Sequence, residues 1–107
     1  MYEVRHYLTP DGKDVFLDWV RKMRDVMARI AVDRRVNRIE LGNFGDHKSI
    51  GSKISEIRIS HGPGYRLYYT VQGKTVVLLL IGGDKSTQQS DITKAKILLK
   101  EIEETND

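Results

Sequence analysis

The stretch Ser55-Glu56-Ile57-Arg58-Ile59-Ser60-His61-Gly62-Pro63-Gly64-Tyr65-Arg66-Leu67-Tyr68-Tyr69-Thr70 reads as a β-hairpin, and the rest of the chain is arranged around it. Pro63 presets φ at the second position of a turn and Gly64 accepts the positive φ of the third, so Gly62 to Tyr65 fits a type II turn. On the incoming strand Ile57 and Ile59 share one face, with Glu56, Arg58 and Ser60 on the other. On the outgoing strand Tyr65, Leu67, Tyr69 and Val71 alternate with Arg66, Tyr68 and Thr70. With the apolar residues on the core face, Arg58 and Arg66 emerge together on the opposite face. There, truncating Arg66 is expected to leave no core cavity and to change stability little. Two guanidiniums on a rigid sheet, beside the ring of Tyr68, offer a phosphate fixed donors. An ordinary solvated strand face has the same pattern.

Downstream, Gln72-Gly73-Lys74 marks a second tight turn, followed by the apolar run Val76-Val77-Leu78-Leu79-Leu80-Ile81 within Thr75 to Gly82. An uninterrupted run of this length predicts a strand covered on both faces. It ends in Gly82-Gly83-Asp84-Lys85, where Lys85 can reach past the strand end. Ser86 to Ser90 reads as polar loop. A last helix begins at about Asp91, with Ile92, Ala95, Leu98, Leu99 and Ile102 inward, and the acidic tail Glu101 to Asp107 is expected to fray.

Upstream, Tyr2 to Leu8 predicts a first strand and Thr9-Pro10-Asp11-Gly12 a turn. A helix follows with Asp11 or Asp14 near its start, burying Val15, Phe16, Trp19, Val20 and Met23. A second helix spans Val26 to Leu41, with Ala28, Ala31, Val32, Val36 and Ile39 as its buried stripe and Gly42-Asn43 as its stop. Arg29, Asp33, Arg34 and Arg38 lie off that stripe and read as a solvated face. The two helices form an αα-hairpin across the sheet, and Asn43 to Lys53 reads as a loop. The expected order is β-α-α-β-β-β-α: one small α+β domain, residues 1–107, with a mainly antiparallel twisted sheet.

Composition narrows the chemistry. The 107 residues contain no cysteine, which rules out disulfides, thiolate metal sites and a cysteine nucleophile. The start at Met1 shows no charged-then-apolar leader and no run is long enough to cross a bilayer, so a cytoplasmic protein without membrane partners is expected. A net charge of +3 suits a polyanion-binding protein. His6, His47 and His61 have no metal-ligand spacing, and Asp46, Glu56 and Asp84 are too scattered for a carboxylate metal centre. No nucleophile elbow, P-loop or dinucleotide fingerprint occurs. The residues are compatible with metal-free, cofactor-free cleavage of RNA, in which the substrate's 2′-hydroxyl attacks the adjacent phosphate. The protein then has only to orient the chain, stabilise the pentacoordinate phosphate and move two protons.

Four motifs sharpen this: Asn43-Phe44-Gly45-Asp46-His47-Lys48, Ile54-Ser55-Glu56-Ile57-Arg58-Ile59, Gly62-Pro63-Gly64-Tyr65-Arg66-Leu67-Tyr68-Tyr69 and Gly82-Gly83-Asp84-Lys85-Ser86-Thr87-Gln88. In order and spacing they resemble the phage-Gp49-like branch of the HigB/RelE/ParE toxin superfamily, the addiction module killer proteins. The resemblance implies a RelE-like fold and a type II toxin paired with a small helix-turn-helix antitoxin, meeting operator DNA only through that antitoxin. RelE- and HigB-like members cut mRNA on the ribosome. ParE-like members inhibit DNA gyrase, and an inactive relative that only binds antitoxin and operator DNA is the other alternative.

Carried over residue by residue, Arg66 stands where the RelE-type Gly-Tyr-Arg motif places a phosphate-binding arginine. Arg58 takes the place of a basic residue on the preceding strand, and Lys85 that of the basic position after the last strand. Many relatives have a C-terminal tyrosine or histidine as acid/base group. This chain has no tyrosine after Tyr69 and no histidine after His61, which makes His61 the substitute. Lys48 and Lys53 are expected to contact phosphates, and Tyr68 to stack a base.

Overall fold

The computed structural model describes residues 1–105. Its elements are β1 (Glu3–His6), α1 (Val15–Lys22), α2 (Val26–Glu40), β2 (His47–Gly51), β3 (Ile54–Ile59), β4 (Tyr65–Gln72), β5 (Val76–Gly83) and α3 (Gln88–Thr105), with a 3₁₀ turn at Lys85–Thr87 leading into α3. The five strands form one sheet in the order β1-β5-β4-β3-β2. β1 runs parallel to β5 and the other neighbours are antiparallel, giving the α+β class expected from the sequence.

Both helix starts follow from side-chain capping. Asp14 accepts the Leu17 N–H and opens α1; Asp25 accepts the N–H groups of Met27 and Ala28 and opens α2. These helices cover one face of the sheet over a core that includes Phe16, Val32, Ile39, Ile57, Leu67, Tyr69 and Leu79, with Trp19 packed beside it. The other face has a core of its own. There Ile54, Tyr68, Leu78, Leu80 and Ile81 pack under Ala95, Leu98, Leu99 and Ile102 of α3. The apolar run of β5 therefore serves two layers at once. Register slips between Tyr68 and Tyr69 on β4, where Leu80 is the extra residue opposite, and this bulge keeps both faces filled.

Three sequence expectations need correction. The Asn43–Lys53 segment is not all loop: His47–Gly51 pairs with β3 as an edge strand. It is short, and four of its five residues are exposed, so it lacks the apolar alternation that marks a half-buried strand. The last helix starts at Gln88, three residues before Asp91, because the Asp84 carboxylate caps the Lys85–Thr87 turn and feeds the chain directly into it. The acidic tail stays helical through Thr105, held where Glu101 accepts a hydrogen bond from the Tyr7 hydroxyl and Glu103 faces Lys53. The rest of the tail expected to fray lies outside the described residues.

The hairpin turn also differs in detail. Gly62 and Gly64 both take positive φ (55° and 79°), and the closing hydrogen bond runs from Gly64 N–H to the His61 carbonyl, one residue earlier than expected. At the end of β5, Gly82 lies beneath Trp19, where an added Cβ would stand 2.2 Å from the indole. Gly82→Ala should therefore destabilise the fold by about 1–3 kcal/mol through overpacking. A urea titration followed by Trp19 fluorescence checks this, and an unchanged midpoint would contradict the packing described.

Candidate functional site

Arg58 and Arg66 are direct partners in the β3–β4 register, next to Gly83 of β5. Residues paired in this way project to the same face, so the two guanidiniums share the α3 side of the sheet. The 3₁₀ turn brings in the third cation. The Lys85 N–H reaches the Pro63 carbonyl at 3.4 Å. A Cβ added to Gly64 would lie 3.4 Å from Arg66 Nη1 and 3.7 Å from the Lys85 Cβ. Arg58, Arg66 and the base of the Lys85 side chain are thus brought to the mouth of the hairpin.

This face is not a plain solvent surface. Arg66 is only 8% exposed, and its Nη1 donates to the Gly64 carbonyl at 2.8 Å. Below the arginines sits Glu56, wholly buried. Its Oε1 accepts Arg58 Nε at 3.2 Å, and its Oε2 accepts the Gln88 amide at 2.9 Å. Arg66 Nε lies 3.7 Å from the same carboxylate, near enough for Coulomb attraction and too far for a hydrogen bond. Burial pushes the Glu56 carboxyl up, but the hydrogen bonds from Gln88 and Arg58 and the Arg66 charge outweigh it, leaving Glu56 below the usual range and ionised. The expectation that Arg66 could be truncated without structural cost is corrected by this arrangement. Spacing puts Arg66 on the face away from Leu67, but α3 buries that face too.

The other sequence candidates fall in different places. Tyr68 is fully buried beside Glu56, its hydroxyl without a well-formed hydrogen bond and pushed up by burial and the neighbouring carboxylate. Its ring has no open face for a base, because it fills the second core. His61 Nε2 is 3.0 Å from Asp25 Oδ2 and its ring stacks on Tyr65, which ties it to the start of α2. That contact, with the backbone donors of α2, holds the Asp25 carboxyl below the usual range. Lys48 is exposed on β2, paired in register with Glu56. Lys53 lies beyond the other end of β3, at positive φ and 3.9 Å from Glu103, and does not join the cluster.

Sequence reasoning missed Glu56 and Gln88 as parts of the site. The alternation had already placed Glu56 on the arginine face, and a carboxylate two residues before Arg58 is the available signal. Gln88 gave none, since it sits where a loop was expected. Close by, Thr87 Oγ1 donates to Asp91 Oδ2 at 2.5 Å, under Gly83. Burial raises the Asp91 carboxyl, with Asp84 adding to the rise and the Thr87 hydrogen bond opposing it. Among the described residues no three His, Asp or Glu side chains converge as metal ligands, and no helix is long and apolar enough to cross a membrane.

The protein family described as phage derived protein Gp49-like matches residues 18–103. The chain belongs to that family. An uncharacterized protein of Haemophilus influenzae is 45% identical over 87 residues, covering 81% of this chain and 88% of that relative. The Gp49-like family is one of toxin–antitoxin toxins, in the HigB/RelE-like group, and the three helices and five-stranded mixed sheet agree with a RelE-like fold. As a Gp49-like toxin the chain is expected to pair with an antitoxin. The matched region holds the whole Arg58/Arg66/Lys85 cluster and its Glu56–Gln88 support.

Removing the carboxylate charge leaves the buried Arg66 guanidinium without its counter-charge, so Glu56→Gln should cost about 3–5 kcal/mol at neutral pH. Arg66→Ala should cost less, about 1–3 kcal/mol, since Arg58 and Gln88 still satisfy Glu56. Because the folded-state pKa of Glu56 is lowered, its contribution is present above its ordinary value of 4.5 and is lost as pH falls through the folded value. The stability gap between wild type and Glu56→Gln should close on acidification, which chemical denaturation at several pH values measures.

Proposed function

We propose that this toxin is a metal-free mRNA endoribonuclease that acts on translated message at the ribosome and is silenced by a small helix-turn-helix antitoxin, through which alone it meets operator DNA. The observation that carries this reading is the convergence of Arg58, Arg66 and Lys85 on one hairpin mouth. Two held arginines and a lysine at the rim suit a phosphate whose negative charge grows as it becomes pentacoordinate, and charge-assisted donors set in place beforehand need no rearrangement during the reaction.

The cations take different parts. The Arg58 side chain has Nε anchored on Glu56 and is 43% exposed, so it is the arginine that meets the phosphate. Arg66, 10% exposed at the side chain, adds its charge from beneath, and Lys85 supplies a mobile charge at the rim. In this reading Lys48, exposed on β2, contacts a neighbouring phosphate. His61 is the proton-transfer group: Asp25 fixes Nε2 and leaves Nδ1 for exchange with the substrate, as an oriented imidazole requires. RNA rather than DNA is the substrate because the 2′-hydroxyl is the nucleophile; attack expels the 5′-oxygen and leaves a 2′,3′-cyclic phosphate.

Induction in cells should shorten translated transcripts and leave 2′,3′-cyclic phosphate, or its hydrolysed form, at the new ends. Arg58→Ala, which also removes a hydrogen bond to the buried Glu56, should lower stability by about 1–3 kcal/mol while staying folded, and should cleave roughly a hundredfold more slowly, equivalent to about 3 kcal/mol of barrier. Mapping transcript ends by sequencing, beside the thermal midpoint of each variant, makes the comparison. Intact transcripts together with loss of gyrase supercoiling would overturn the nuclease reading in favour of gyrase inhibition.

A further inference from the structure

Four arginines lie on α2, at positions 29, 34, 35 and 38, and the hairpin chemistry uses none of them. Three gather. Arg34, Arg35 and Arg38, with Ala31 between them and the β3 end, line an open cavity of about 210 Å³ whose far wall is Ile59 and Ser60. The Arg35 guanidinium lies across Gly45, where an added Cβ would be 2.0 Å from Nη1, so this side chain is seated on the chain leading into β2. Among the described residues no carboxylate oxygen comes within 4.0 Å of any of the three guanidiniums. A solvated helix face commonly spaces opposite charges along itself. Here Asp33 and Glu40 flank the cluster in sequence without pairing into it.

The position of this groove gives it meaning. Ile59 and Ser60 directly follow Arg58 along β3, so the groove and the hairpin cluster open at the same end of the strand, on opposite faces of the sheet. Ile59 faces the α2 layer, whereas Arg58 faces the α3 layer. Three unpaired planar cations and one hydroxyl, with no carboxylate among the lining residues, form a receptor for phosphodiester oxygens. The lining offers no exposed aromatic ring and no amide side chain to read a base edge.

The geometry points to a second, sequence-independent RNA subsite in the Arg34/Arg35/Arg38 groove, which holds backbone phosphates of the strand whose scissile phosphate lies at Arg58. This rests on the ribonuclease reading for the identity of the nucleic acid, but its binding test does not depend on cleavage. The groove adds affinity and fixes the path of the strand, and takes no part in the chemistry.

The test uses the full chain and a fluorescently labelled single-stranded RNA with 2′-O-methyl groups throughout, which cannot be cut by its own 2′-hydroxyl. Anisotropy titrations across a salt series give the number of phosphates neutralised, because log K falls with log salt at about −0.7 per phosphate for single strands. Arg34→Gln/Arg38→Gln, which spares the seated Arg35, should fold with an unchanged thermal midpoint and lose about 1.4 from the slope. On ribosome-bound message the same variant should raise KM and leave kcat in place. A wild-type slope in the double variant, or a slope change seen with duplex DNA and not with RNA, would overturn the subsite. Loss of slope in a protein that cuts no RNA would keep the subsite and reject the nuclease reading.

Discussion

A buried carboxylate between two arginines determines most of what is particular to this fold. Glu56 is wholly buried, so its charge is sustained by Gln88, Arg58 and the nearby Arg66, with the Tyr68 hydroxyl beside it. Those partners come from three elements: β3, β4 and the first turn of α3. One ionised group therefore ties the arginine-bearing strands to the first turn of the last helix. Without the charge, Arg58 and Arg66 would repel across a distance set by strand spacing, and the Gln88 amide would lose its acceptor. Such an arrangement is stiff in a useful sense, because the cations are held by a partner that never leaves the interior.

The sheet is served on both sides, and its sequence shows this unevenly. The β5 run was readable because six consecutive apolar residues cannot face water. The amphipathic stripes of α1 and α2 and the caps at Asp14 and Asp25 were readable for equally local reasons. β2 was hidden because an edge strand with one half-buried residue carries no period-two signal; the β3 backbone, not its own side chains, makes it a strand. The 3₁₀ turn and early start of α3 were hidden in a polar stretch where only the Asp84 cap gives a hint.

The site was legible in its cations and not in its depth. Alternation placed Arg58 and Arg66 on one face, and the Gly-Gly-Asp-Lys ending pointed at Lys85. Burial could not be read from the same pattern, because Glu56, Arg66 and Tyr68 look like solvent-facing residues until α3 is laid over them. Polar letters on a strand imply water only if nothing covers that face. Lys53 misled for a different reason: six residues of extended strand separate it from Ser60, enough to carry it to the far end of the sheet.

The pair Gly82–Gly83 has a consequence for how the two helical layers communicate. Elsewhere a side chain on each face of β5 separates the layers, but here the strand is reduced to bare main chain. Trp19 rests on it from one side, and Thr87 and Asp91 rest on it from the other. The sheet is locally only as thick as its backbone, so a shift of the indole toward the strand has no soft side chain to absorb it. It would pass to the turn that carries Lys85. This spot acts as a thin diaphragm between an apolar compartment and a charged one, which sets the single tryptophan across bare main chain from Thr87 and Asp91 although it belongs to the opposite layer.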